Sequence, residues 1–309
     1  MIKKINITAP ANSVEDVIEY EKAGITEIYL GFMDSNKTYK NSINKRFKTS
    51  ANFNNFDELK KVRNIFSGKI SFTLNAPFFD VSQLNELKSQ IETTKNFVDN
   101  YIIADISIIN LVKKIAPKKE IVISCIASCL NSETVQFYKS LGIKKIILPR
   151  HLTIEEIKII VNNHPDINFE VMILNQFCRN IDGFCSRCHI TRQKGKKEET
   201  ITNCNIPFKY NILNLNNNPI SDLAKINLGS YLKFNPWCGL CFIKELEKIG
   251  VTNLKIVGRG NNLKKKVLDI KLVQKVINKT KLTDKEFQNF CKQNFKETFN
   301  KSCNHNCYY

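Results

Sequence analysis

Short runs dominated by Ile, Val, Leu and aromatic residues recur along the chain, separated by longer stretches in which apolar positions fall three or four residues apart. The short runs have too few polar interruptions for a sheet with one wet face and read as strands buried on both sides; the longer stretches read as amphipathic helices. Strands are expected at residues 5–9, 27–31, 69–75, 101–104, 120–125, 145–148, 169–174 and 254–257. Helices are expected at 13–23, 55–66, 82–100, 107–115, 132–141, 153–163 and 240–249, the first with Ser13 as its N-cap and Gly24 closing it.

This alternation argues for βα units and a parallel sheet. A doubly wound sheet accepts the same order, but eight strands over roughly 260 residues match a TIM-like (β/α) barrel. Such a barrel puts chemistry at the C-terminal ends of its strands, where the chain carries Gly31, Asn75, Asp105, Ser124, Arg150, Cys178 and Arg259. The rhythm fails between Cys178 and Leu240, so the barrel is expected to span 1–260 with a long Cys-bearing insertion at about 178–240. Two further amphipathic stretches, 263–278 and 284–299, form a short helical C-terminal extension over 261–309 that ends in a Cys-bearing tail and covers the barrel.

Hydrophobic residues make up 42% of the 309 and aromatics 10%, enough for a full buried core rather than a disordered polycation. No run approaches the roughly 18 apolar residues of a membrane-spanning helix. Residues 1–10 hold no apolar segment followed by a cleavage site, so a cytoplasmic protein without membrane contact is expected. Lys and Arg number 47 against 29 Asp and Glu, a net charge of +18, which suits RNA or a small anionic metabolite because cations neutralise phosphates and release counterions. Only seven of the 47 are Arg, however, and Asn is abundant too, so a solvated lysine-rich surface set by composition accounts for the same charge.

Eleven cysteines, an odd number, stand in a chain whose other features look intracellular, where disulfides are rare and clustered thiols more often bind metal. Cys178, Cys185 and Cys188 crowd together, Cys204 follows, and Cys238 and Cys241 form a Cys-x-x-Cys. That last motif alone reads as a thioredoxin-like redox pair; its neighbours favour a metal cluster. Cys291, Cys303 and Cys307 lie near the C-terminus and offer a second metal site or unliganded thiols, while Cys125 and Cys129 sit in an apolar stretch. The strongest local signal is a strand with Glu170 near its start and Cys178 past its end, followed by Gly183, Cys185 and Cys188. Glycine matters there because thiolates converge on one site only if the backbone bends sharply without a Cβ clash.

On these residues the chain resembles the collagenase-like peptidase U32 family, whose signature of Glu, Cys, Gly and Cys is held here by Glu170, Cys178, Gly183 and Cys185. Residues 23–31, 72–75, 102–105, 131–150 and 254–259 are similar, in the same order, to further blocks of that family. There are departures. Ser124-Cys125-Ile126 stands where the family usually has Ser-Thr-Gln, Arg150-His151 where it has Arg-Glu, and Met172 and Asn175 where it has an aromatic residue and a glycine.

The family name implies proteolysis, yet the sequence holds no His-Glu-x-x-His, and its four histidines, His151, His164, His189 and His305, leave little for a thiolate and base pair. The resemblance equally implies an iron–sulfur protein. Relatives hold a four-iron four-sulfur (4Fe-4S) cluster and take part in oxygen-independent hydroxylation of ubiquinone precursors or RNA bases, with prephenate implicated as the hydroxyl source. Cys178 and Cys185 match two ligand positions, Cys204 is the natural third, and Cys238 or Cys241 the fourth; structural zinc is the alternative occupant of the same thiolates. What is implied is an iron–sulfur-dependent enzyme acting on RNA or a small aromatic metabolite. The alternatives are a collagenase-like peptidase and a non-catalytic iron–sulfur or zinc partner subunit, paired with another family member as a heterodimer. Arg150, Lys255 and Arg259 are candidates for binding a carboxylate or phosphate, with Asn75 and Tyr29 lining the same pocket, and Asp105 and Glu170 are acid–base candidates. An ion pair or cap serving stability is the other reading of each charged residue.

Overall fold

The structure is a computed structural model and describes residues 5–33, 51–176, 178, 181–184, 191–192, 200–201, 237–303 and 305–309. Its elements run β1 (Asn6–Pro10), α1 (Val14–Lys22), β2 (Glu27–Leu30), α2 (Phe56–Ile65), β3 (Lys69–Leu74), α3 (Leu84–Thr94), β4 (Asn100–Ile103), α4 (Ile109–Ile115), β5 (Glu120–Ile123), α5 (Ser132–Ser140), β6 (Lys145–Ile147), α6 (Ile154–Asn163) and β7 (Asn168–Asn175). Then follow β8 (Thr191–Arg192), β9 (Thr200–Ile201), β10 (Trp237–Cys238), α7 (Ile243–Ile249), β11 (Asn253–Ile256), α8 (Leu263–Ile277) and α9 (Asp284–Phe299). Strands β1 to β7 and β11 are parallel, and the ring closes because β6 pairs with β7, β7 with β11 and β11 with β1. This is an eight-stranded parallel barrel ringed by helices, the TIM-like architecture. The two-residue β10 adds antiparallel to the end of β7.

Two compact units divide the chain, residues 1–184 with 236–309 and residues 185–235. In the first, α8 packs on β1 and α1, the place of the eighth outer helix, and α9 packs on α8, so the C-terminal helices belong to the barrel's own unit. In the second, β8 and β9 pair as an antiparallel ribbon. Among the described residues no helix is long and apolar enough to cross a membrane.

Local chemistry sets the boundaries. Ser13 accepts a hydrogen bond from the Asp16 N–H to start α1, and Gly24, at φ +69°, ends it. One expected helix is shorter than its pattern: residues 82–100 become a 3-10 turn at Val81–Gln83 and α3, which stops at Thr94. Phe97 and Val98 are buried, and the Asp99 carboxylate accepts from the Ile70 N–H at 2.7 Å, which draws this segment into the connection leading to β4.

Strand alternation sorts the core into two parts. Outward residues such as Ile28, Phe72, Tyr101, Ile146 and Leu254 pack under the helices. Inward residues form layers: Tyr29, Ile102, Val122, Ile147, Met172 and Val257 make an apolar middle, joined by Cys125 and Tyr308. Below it, towards the strand N-termini, the inward residues are Thr8, Glu27, Ser71, Asn100, Lys145, Glu170 and Asn253, all buried.

Candidate functional site

Glu170 and Lys255, expected as an acid–base group and an anion-binding group, meet each other inside the lower barrel. Lys255 Nζ donates to Glu170 Oε1 at 2.6 Å, Thr8 Oγ1 donates to Oε2 at 2.8 Å, and Lys145 pairs with Oε2 at 2.9 Å. Lys145 also reaches both Glu27 oxygens, at 2.6 and 2.7 Å, and Ser71 and Asn253 donate to Glu27 at 3.1 and 3.0 Å. Two carboxylates and two ammonium groups therefore neutralise one another away from solvent. Burial disfavours the Glu170 carboxylate, but Lys145 and Lys255 outweigh it and hold its pKa at about 2. Lys255 Nζ also lies 3.8 Å from the centre of the Tyr29 ring, so this network abuts the apolar layer.

Arg259 lies above that layer, past the end of β11, and is 5% exposed. Its Nη1 donates to Asn52 Oδ1 and Thr73 Oγ1, each at 3.1 Å, and its guanidinium stands 5.8 Å from the Tyr29 ring centre. Gly31, one residue past β2, makes the room: a Cβ there would lie 2.3 Å from Arg259 Nη1. Asn75 follows β3 and is half-buried. Both oxygens of Asp105 accept backbone N–H groups, Oδ1 from Ser107 and Oδ2 from Phe79, each at 2.8 Å. It caps its own turn and ties the connection after β3 to the end of β4.

The turn carrying Cys178 is held down by the ends of neighbouring strands. Strand β7 finishes at Asn175 with φ +85°, in the left-handed region that favours glycine, and Asn175 Nδ2 donates to Val257 O at 2.8 Å and Asp269 Oδ2 at 3.0 Å. Lys265 of α8 donates to Asn175 Oδ1 at 2.8 Å. Arg150, past β6, embraces Asp182 with its backbone N–H at 3.0 Å, Nε at 2.9 Å and Nη2 at 2.5 Å, and donates from Nη1 to Gln176 O at 2.6 Å. His151 Nε2 donates to Cys178 O at 3.2 Å while its Nδ1 accepts the Asp182 N–H at 3.4 Å, a pair that the neutral ring protonated on Nε2 satisfies. Ser128 Oγ donates to Asp182 O at 3.2 Å. Gly183 has φ +91°, and a Cβ on it would fall 2.0 Å from Ser128 Oγ and 2.5 Å from Ile126 O. Arg150, expected to bind substrate, is thus the clamp of this turn. His151 stood out in the sequence only as a departure from the family pattern, and Asp182 and Ser128 not at all; an Arg and Asp pair 32 positions apart leaves no periodic or motif signal.

Of the expected cluster ligands, Cys185 and Cys204 lie outside the described residues. Cys178, Cys238 and Cys241 are described, half-buried and free of disulfides. Cys238 sits on β10 opposite Leu174, in bridge register with Cys307, and its N–H donates to Asn306 O at 3.0 Å. Cys291 Sγ donates to Leu240 O at 3.6 Å. The C-terminal segment reaches the same region, for Tyr308 Oη donates to Gln176 O at 2.8 Å and Tyr309 Oη to Met172 O at 2.7 Å. Among the described residues no three Cys, His, Asp or Glu side chains form a ready metal site. The donor chemistry nonetheless suits a thiophilic metal: three of the five proposed thiols, Cys178, Cys238 and Cys241, are described, and none of these three is tied up in a disulfide. Burial pushes the Cys125 thiol up to about 12, so it behaves as a core residue beneath the turn.

Comparison with known proteins identifies the family. The family model for peptidase family U32 matches residues 12–309. The tRNA hydroxylation protein P of Escherichia coli (strain K12) is 30% identical over 131 residues, covering 41% of this chain and 29% of that protein. The protein of the same name from Helicobacter pylori (strain J99) is 25% identical over 229 residues, covering 72% of this chain and 52% of that one. The chain spans about half or less of the length of these curated relatives. Among solved structures, N-acetylneuraminate lyase from Fusobacterium nucleatum aligns over 94% of this chain and 80% of its own at 10% identity, with a TM-score of 0.48.

Proposed function

The chain belongs to peptidase family U32, and from that premise we propose that it is an iron–sulfur-dependent enzyme of oxygen-independent tRNA hydroxylation. The observation that carries this reading is the clamped turn: Arg150, His151 and Ser128 fix the Cys178 segment beside the strand ends where a barrel of this type does its chemistry. The name shared by the relatives supports an RNA substrate. Cys178, Cys185, Cys204 and Cys238 or Cys241 would hold a 4Fe-4S cluster, which when bound supplies one-electron chemistry. Arg259, buried at the mouth with hydrogen bonds to Asn52 and Thr73, is the residue we assign to an anionic co-substrate such as prephenate.

Two measurements test this together. Anaerobic purification of the full chain is expected to give a brown protein with about four irons and four sulfides per chain; zinc alone overturns the cluster. Mass spectrometry of tRNA nucleosides from a deletion strain is expected to show a hydroxylated nucleoside missing and restored by the wild-type gene but not by Cys178→Ala. Unchanged nucleosides, together with peptide cleavage that Cys178→Ala abolishes, would replace this reading with proteolysis. Stoichiometric copurification with a second family member, without activity of its own, would make the chain a partner subunit.

A further inference from the structure

At the opposite end of the barrel from the mouth, the strand N-termini and the loops that feed them surround a cavity of about 950 Å³ open to solvent. Seven of its 22 lining residues are Lys or Arg, against 47 of 309 in the whole chain, so a chain-wide excess of lysine does not account for the concentration. Three acids share the lining, and each already has a partner: Glu27 with Lys145, Asp99 with Arg63 and Glu120 with Lys69. Lys113, Lys118, Lys119 and Lys144 are left as uncompensated cations, Lys113 donating to Leu141 O at 2.6 Å and the side chains of the other three making no hydrogen bond or ion pair among the described residues.

The placement follows from the sequence. A Lys-Lys pair precedes the apolar run of both β5 and β6, two adjacent strands of the barrel. Strand alternation turns Lys145 inwards to the Glu27 and Glu170 network and leaves Lys144 in the exposed loop. In β5 the pair ends at the residue just before the strand, so both lysines stay in the loop that follows α4. Flexible point charges without bidentate forks, spread over a wide opening with few apolar walls, suit a chain of phosphates read without base specificity rather than one enclosed metabolite.

We propose that this face is a second RNA-contacting surface, which holds the phosphate backbone of the substrate tRNA through Lys118, Lys119 and Lys144 while the mouth performs the chemistry. The proposal rests on the RNA reading above. Its test is fluorescence anisotropy of labelled bulk tRNA with the full-length holoprotein across a salt series. It compares wild type, the triple variant Lys118→Gln/Lys119→Gln/Lys144→Gln, and a control of equal charge change, Lys158→Gln/Lys271→Gln/Lys285→Gln, on the outer faces of α6, α8 and α9. The cavity variant is expected to bind at least about tenfold more weakly at 0.1 M salt, with the slope of log affinity against log salt smaller by about 2, as loss of three phosphate contacts requires. The control is expected to keep wild-type affinity and slope. Equal weakening in both variants would show a net-charge effect and overturn the surface while leaving the RNA reading intact. Absence of any tRNA binding by wild type would overturn the RNA reading itself. Wild-type tRNA binding in the cavity variant, with binding of inorganic pyrophosphate abolished, would assign the cavity to a small free anion instead.

Discussion

Replacing Glu170 with Gln tests whether the charges inside the lower barrel serve stability or catalysis. Glu170→Gln keeps the volume but leaves Lys145 and Lys255 facing Glu27 alone, one uncompensated positive charge in a buried network. Breaking a buried pair by removing one partner costs about 3–5 kcal/mol. The electrostatics set the same scale: a carboxylate held at about 2 rather than 4.5 corresponds to roughly 3 kcal/mol at neutral pH. Unfolding entropy of about 2.1 cal/mol/K per residue, taken over 309 residues, converts a loss of about 4 kcal/mol into a fall in Tm of about 6 °C. The folded-state pKa is lowered, so the stabilisation is complete above about pH 4.5 and is lost as pH falls towards 2. Wild type should therefore weaken across that window, whereas the Gln variant should show a shallower slope there. A second replacement, Lys255→Met, restores neutrality in the Glu170→Gln background and should recover at least about 1 kcal/mol relative to the sum of the single changes. A Gln variant within about 0.5 kcal/mol of wild type, or one with native stability and no activity, would refute this reasoning and return Glu170 to an acid–base role.

At the mouth, Gly31→Ala would set a Cβ against Arg259 Nη1, Asn52 Oδ1 and Thr73 Oγ1; the guanidinium should be displaced and anionic co-substrate affinity should fall at least about tenfold, read as a raised KM with the cluster content unchanged. For Asn175, which sits at φ +85° and loses three polar contacts on truncation, Ala should destabilise more than Gly by about 1 kcal/mol in denaturant unfolding, because only Ala keeps the left-handed penalty. Arg150→Lys cannot reproduce the fork on Asp182 and Gln176, so amide exchange at residues 181–184 and the loss of iron on anaerobic dilution should both accelerate while exchange in β1 to β6 stays at the wild-type rate.

The barrel was legible because its signals are local and repeated. Each barrel strand has an apolar run, each helix a spaced face, and the Ser13 cap marks the first helix start. What was not legible is which inward residues find each other. Glu170 and Lys255 stand 85 positions apart and Glu27 and Lys145 stand 118 apart, and nothing in either segment says that ring closure will bring them face to face. Asp105 stands at a strand end as a catalytic acid would, yet an Asp immediately before a helical turn is equally a cap, and its carboxylate accepts from the Ser107 and Phe79 N–H groups. Residues Trp237 and Cys238 form a strand only because β7 offers them an edge, so no run of β-formers announced β10.

Two of the departures from the family pattern, His151 and Asn175, meet at one turn, and their chemistry there is specific. A carboxylate in the place of His151 has no proton to give when ionised, so it could not donate to Cys178 O; the neutral imidazole both donates to Cys178 O and accepts from Asp182 N–H, joining the two ends of the same turn. A glycine in the place of Asn175 would enter the left-handed region freely but would leave Val257 O, Asp269 and Lys265 without the bonds that tie the end of β7 to β11 and α8. Each substitution thus trades a residue that permits a conformation, or carries a charge, for one that fixes the backbone just before or within the Cys178 segment. Lower in the barrel, the neutral quartet of Glu27, Lys145, Glu170 and Lys255 is closed on itself. It follows that differences in substrate between this chain and its relatives should reside in how the turn after β7 is held over the mouth. Restoring His151→Glu and Asn175→Gly together should change substrate preference, read as altered kcat/KM ratios between tRNA substrates, before it changes the stability of β1 to β6.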